Sequence, residues 1–215
     1  MGWQLAPGTG FCEAGGELVF LDLTRDKYLA MCGEDRAAFD RLRIGEANDS
    51  EAMTRLVETG FITRSDGPGS IEPTQVNVPC RDIASEPDPG FSPLMALAAA
   101  RSLRWARRAM GPKHIAATIA ELAREKAALA SEAGMATDLA GRYAAYRWIV
   151  PIAPRCLIDA LALDRILFAR GQHATLVFGV RLAPFAAHCW LQTKDCVLTG
   201  TAADASNYTP ILAVR

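Results

Sequence analysis

The sequence predicts an α+β protein in two parts. Short strands and turn glycines fill the first 66 residues, a proline-rich stretch interrupts the chain, and helical periodicity then gives way to period-two alternation after His173. Of 215 residues, 50% are hydrophobic and 22% charged, so a packed core is expected rather than disorder. A net charge of −1 gives no sign of bulk binding to nucleic acid or anionic lipid.

Residues 1–66 carry the pattern of a small winged-helix-like module. Gly10-Phe11-Cys12-Glu13 runs into a Gly15-Gly16 turn, a hairpin signal. Residues 17–23 read as a strand, which Thr24-Arg25-Asp26 reverses into Lys27-Tyr28-Leu29-Ala30-Met31. Gly33-Glu34-Asp35 opens a short helix through Ala38, Phe39 and Leu42. Asn48-Asp49-Ser50 caps a second, with Met53, Leu56 and Val57 at helical spacing and Gly60 where a C′ glycine belongs. Phe61-Ile62-Thr63 leads out as a wing strand. Such a unit is too small for an enzyme but suits the binding of a peptide as an added strand. Lys27, Tyr28, Leu29, Ala30 and Met31 are the expected docking edge.

Residues 67–90 are read as a linker: Pro68, Pro73, Pro79, Pro87 and Pro89 fall there with Gly67, Gly69 and Gly90. Residues 91–215 form the second part. Ser92-Pro93 supplies an N-cap and an N1 proline for a helix reaching about Met110, stopped by Gly111-Pro112. A second helix runs from near His114 through Ile119, Leu122 and Leu129. Thr137-Asp138 opens a third, carrying Tyr143, Tyr146 and Trp148 and ended by Pro151 and Pro154. The fourth starts near Cys156 and stops at Gly171. Strands are expected at 173–181, 187–193, 196–200 and 208–214, joined by turns at Pro184, Lys194-Asp195 and 204–207.

The N-terminus lacks a basic region followed by an apolar run, and the apolar stretch 94–100 is too short to span a bilayer, so a cytoplasmic protein is expected. In that setting the six cysteines stay reduced. Cys156, His188, Cys189 and Cys196 match no common zinc spacing, and neither a metal nor a cofactor is expected.

The chemistry rests on Cys156, which opens a helix after Pro154-Arg155, and on His188 in the strand segment His188-Cys189-Trp190. Papain-like and transglutaminase-like enzymes assemble a thiolate–imidazole pair in this order. Cysteine attacks as thiolate, a helix start favours negative charge, and histidine can hold the proton and return it to a leaving amine. The bland alternative is a buried small residue and a satisfied core histidine.

A third group usually orients the imidazole. If Lys194-Asp195 is a two-residue turn, His188 faces Thr201, and Thr199-Gly200-Thr201-Ala202 supplies no carboxylate. Asp204 is the nearest acid. Either it reaches in, or a threonine hydroxyl or backbone carbonyl serves, or the role is vacant. Arg101, Arg104 and Arg108 share a helical face, read as solvated surface or else a patch for an acidic partner. His114 and His173 are read as surface or edge histidines, Tyr146 and Trp148 as core, and Gln192 as lining a cleft or facing solvent.

Pro154-Arg155-Cys156-Leu157-Ile158-Asp159-Ala160-Leu161-Ala162-Leu163, Arg170-Gly171, Gly179-Val180-Arg181, Pro184-Phe185, Ala187-His188-Cys189-Trp190-Leu191 and Tyr208-Thr209-Pro210-Ile211-Leu212 together resemble the B protein of lasso-peptide biosynthesis. That family is a transglutaminase-like cysteine peptidase that removes the leader from a ribosomally made precursor. Leu18-Val19-Phe20-Leu21-Asp22-Leu23 with Lys27-Tyr28 resembles its precursor-recognition element, a winged-helix relative, so the fused form is implied. The resemblance places the nucleophile at Cys156 and the base at His188, and puts Gly200 where the family has its acid. It implies two partners, the precursor peptide and an ATP-dependent macrolactam synthetase. A non-catalytic precursor-binding scaffold and an acyl transfer to an amine are the rival readings.

Overall fold

A computed structural model describes residues 2–67, 69, 71–83, 92–111, 114–128 and 135–215. Helices and antiparallel sheet are mixed, as expected. Three strands form the first sheet in the order β2-β3-β4: β2 (Thr9–Ala14), β3 (Glu17–Asp22) and β4 (Lys27–Met31). Two helices follow. α1 (Gly33–Arg43) starts after Cys32, and in α2 (Ser50–Glu58) the Asp49 side chain accepts from the Ala52 N–H at 2.7 Å. Gly60 has φ +76°, the left-handed geometry expected just past a helix end. β5 (Ile62–Ser65) pairs with β1 (Gly2–Leu5), a strand that the sequence reading did not anticipate.

In the second part, α3 (Pro93–Ala109) has the expected cap, with Ser92 accepting from the Met95 N–H. α4 (Ile115–Ala127), α5 (Ala136–Arg147) and α6 (Cys156–Phe168) follow. Trp148 caps α5 rather than lying in it. The second sheet has the order β7-β6-β8, from β6 (Thr175–Leu182), β7 (Phe185–Gln192) and β8 (Thr209–Val214). The strand expected at 196–200 is reduced to bridges at Val197, because Gly200 turns the chain with φ +74°. Of the residues expected as a turn at 204–207, Asp204 and Ala205 end a one-turn helix, α7 (Ala202–Ala205), capped by Thr201.

Burial explains how the parts meet. β3 alternates: Leu18 and Phe20 face a core with Phe11, Phe39, Leu56 and Phe61, whereas Val19 and Leu21 join the large core built on α3, α5, α6 and the second sheet. The first sheet is thus covered on both faces. β2 runs so close to β8 that a Cβ on Gly10 would strike the Ile211 carbonyl. Residues 71–83 run extended along the second part. Thr74 Oγ1 donates to the Ile211 carbonyl at 2.8 Å, Val197 N–H to the Arg81 carbonyl at 2.8 Å, and Val76 and Val78 pack against Trp190 and Val197. Residues 84–91, part of the expected linker, lie outside the described residues, as do Pro68, Pro112 and Leu129. Among the described residues no helix is long and apolar enough to cross a membrane.

Candidate active site

Cys156 is the first residue of α6 and is solvent-exposed. Arg155 before it is extended (φ −145°, ψ 131°), so the N–H groups of the first turn have no earlier helical carbonyl to meet. The Asp159 carboxylate fixes this entry. It accepts from the Arg155 N–H at 3.2 Å, from the Tyr143 hydroxyl at 3.4 Å and from Arg147 Nε, while Arg147 Nη2 donates to the Ile152 carbonyl at 2.8 Å. α5 and the loop after it are thereby tied to the turn that bears the thiol. The sequence reading missed Asp159, Arg147 and Tyr143, since an acidic residue in a first helical turn is too common to single out.

His188 lies on β7, half-buried, opposite Gly179 of β6. Its ring lies near two others, Trp190 at 5.9 Å between centroids and 20° between planes, and Tyr208 at 5.1 Å and 34°. Nε2 is buried and has no hydrogen-bond partner. A Cβ built on Gly200 would stand 3.8 Å from that nitrogen, so the position expected to carry an acid does face the imidazole, and it holds glycine. Burial pushes the His188 pKa below its ordinary value, and the Asp204 charge opposes the shift. Asp204 itself is engaged elsewhere. Its Oδ2 accepts from Thr201 Oγ1 at 2.9 Å, and its N–H donates to the same oxygen at 3.0 Å. It reaches His188 through space and not through a hydrogen bond.

α6 packs against β7. Cys189 packs in the large core with α6, while its neighbour His188 lies on the other face of the strand beside Trp190. No hydrogen bond joins Cys156 to His188 among the described residues, and the structure does not bring the two side chains into contact. The family profile of the transglutaminase-like superfamily matches residues 94–213, more than half of the chain. The chain belongs to the transglutaminase-like superfamily. No curated protein and no solved structure matches it significantly.

The transglutaminase-like domain includes Cys156, His188, Gly200 and Asp204 but ends short of the N-terminal sheet. Within it, Cys189 and Cys196 are buried and their thiols are raised by desolvation, which disfavours the thiolate. Outside it, burial pushes Cys12 up to about 11. Tyr146 is buried and its hydroxyl accepts from the Ser92 N–H at 2.5 Å, but Trp148, expected in the core, is 75% exposed. Arg101, Arg104 and Arg108 are exposed, as is His114. His173 is half-buried with an unpartnered Nε2. Gln192 neither lines a cleft nor faces solvent. It is buried, accepting from Trp190 Nε1 at 2.7 Å and donating to the Asn77 carbonyl at 2.8 Å.

Lys27 to Met31 form β4, the strand at one edge of the first sheet. Lys27, Leu29 and Ala30 are exposed. Tyr28 turns inward, meeting Phe185 at 5.8 Å between ring centroids. Desolvation raises its phenol pKa.

Proposed function

We propose that the chain is a cysteine leader peptidase of the lasso-peptide type, binding a ribosomal precursor with its N-terminal module and cutting leader from core with Cys156 and His188. The observation that carries the reading is an exposed cysteine at the first position of a helix packed on the strand of a half-buried histidine, within a transglutaminase-like domain. Support for peptide delivery comes from β4. It is an edge strand of the first sheet, with no strand partner on its outer side among the described residues. An extended leader could add there as a further strand.

In this mechanism the Cys156 thiolate attacks the scissile carbonyl carbon and forms a C–S bond. N–H groups in the first turn of α6 meet the oxyanion. The C–N bond breaks as the His188 imidazolium gives its proton to the departing core amine. Water then attacks the thioester, His188 accepts its proton, and the leader leaves with a new carboxylate as the thiolate is restored. The freed core amine is the group an ATP-dependent macrolactam synthetase would consume, which makes that enzyme the expected partner in the cytoplasm.

The glycine at position 200 favours a second reading, a precursor-binding scaffold whose site has lapsed. Incubating the purified protein with its precursor, with and without the synthetase, and following cleavage by mass spectrometry separates the two. Cleavage that disappears in Cys156→Ala supports the peptidase. Intact precursor under both conditions, with leader binding retained, supports the scaffold. Products bearing an added amine in place of water would instead indicate acyl transfer.

A further inference from the structure

His188 presents a problem that the peptidase reading must solve, because a general base without an orienting partner swings away from its proton donor. Its Nε2 has no hydrogen-bond partner, and the backbone facing it at Gly200 bears no side chain. Asp204 is bonded to Thr201. What the ring does have is two aromatic neighbours. Trp190, two residues along the same strand face, lies nearly parallel to it at 5.9 Å, and Tyr208, just before β8, stands 5.1 Å away. Both distances fall in the range where aromatic pairs attract.

The walls are themselves fixed. Trp190 is fully buried, and its Nε1–H is held by Gln192, which is held in turn by the Asn77 carbonyl of the extended segment. The Arg181 guanidinium lies over the face of Tyr208 at 5.3 Å. The floor is Gly179, directly across from His188 in the β6–β7 register. A Cβ there would come within 2.8 Å of the Trp190 ring and 2.9 Å of the Tyr208 Cβ, so any side chain forces the walls apart. Each of these features fixes a ring that lies near the imidazole.

We propose that this slot, with Trp190 and Tyr208 as walls and Gly179 as floor, positions the His188 imidazole in place of the acid missing at Gly200. The proposal rests on the peptidase reading. Trp190, Tyr208 and Gly179 are positioning residues; they act on the reaction only through His188.

The test is a double-mutant cycle on precursor cleavage. Tyr208 is half-buried, so Tyr208→Leu is a tolerable change, and Tyr208→Phe keeps the ring. Tyr208→Leu is expected to lower kcat about 10²-fold, the cost of a misplaced catalytic group, with KM unchanged. Tyr208→Phe is expected to keep the wild-type rate. The decisive variant is Gly200→Asp, which sets a carboxylate against Nε2. In that background the loss from Tyr208→Leu is expected to shrink to a few-fold, because the acid takes over the orienting role (about 10⁴-fold where tautomer control is fully lost). A tyrosine needed only for folding would cost the same in both backgrounds, and that result overturns the proposal, as does unchanged kcat in Tyr208→Leu.

NMR of the His188 ring protons supplies the second readout. Ring currents from the walls are expected to move them upfield in the wild type and to release them in Tyr208→Leu. If no form of the protein cleaves the precursor, the peptidase reading falls while these resonances still decide the slot. Ring protons at ordinary positions, unmoved by Tyr208→Leu, would overturn it.

Discussion

Among the six cysteines, Cys32, Cys80 and Cys156 are exposed, and of these only Cys156 starts a helix of the transglutaminase-like domain. On the proposed peptidase reading, Cys156→Ala is expected to abolish cleavage while leaving leader affinity intact, as read by mass spectrometry and fluorescence anisotropy. The pH dependence follows from His188. Burial lowers its pKa, so the neutral, proton-accepting imidazole persists below the ordinary value of about 6.5. The acid limb of kcat/KM is expected below that pH. Asp204→Asn removes the charge that opposes the shift, and should move the limb further toward acid in a pH–rate profile. At this scale the sequence offered candidates where chemistry dictated them. Hairpin counting located the empty acid position, because the Leu198 N–H donates to the Leu191 carbonyl in the counted register. It gave no view of Trp190 and Tyr208, since a ring's stacking partner follows from side-chain packing and not from strand spacing.

The first turn of α6 depends on Asp159, which joins Arg147, Tyr143 and the Arg155 N–H. Arg147 is 7% exposed in its side chain, so Asp159→Ala strands a buried guanidinium. The expected cost is about 3 kcal/mol, measurable by urea unfolding, with slower alkylation of a displaced Cys156 as the companion sign. β4 makes a separate prediction. If the leader pairs with its free edge, N-methylating alternate leader amides should weaken binding by up to about tenfold each, the value of one backbone hydrogen bond, while methylating the intervening amides does little. Equal affinity for both methylation patterns would sink the strand-addition idea. Helices with explicit stops and caps, such as α2 after Asp49 and α3 after Ser92, were readable from local sequence. β1 was not, because Gly2-Trp3-Gln4-Leu5 becomes a strand only by pairing with β5, sixty residues away along the chain.

Across the whole molecule, the two parts read from sequence share one core. Val19 and Leu21 of the first sheet pack in the same cluster as Leu103, Tyr143, Leu161 and Ile211. Unfolding by urea is expected to be a single transition reported equally by probes in either part, and Leu21→Ala should lower both together by about 2–5 kcal/mol. Two separable transitions would show instead that the parts fold independently. Proline content alone marked 67–90 as a spacer. That pattern identifies extended backbone correctly but cannot tell a free tether from a segment laid against a sheet, and residues 71–83 are laid against one. The seam at Gly10, where β2 meets β8 too closely for any side chain, has an evolutionary consequence. Were the gene to split in the proline-rich stretch, the two products would still have to find each other through that seam. A glycine that now merely fits within one chain would then become the residue on which heterodimer assembly turns, and its loss would be inherited as a failure of two polypeptides to meet.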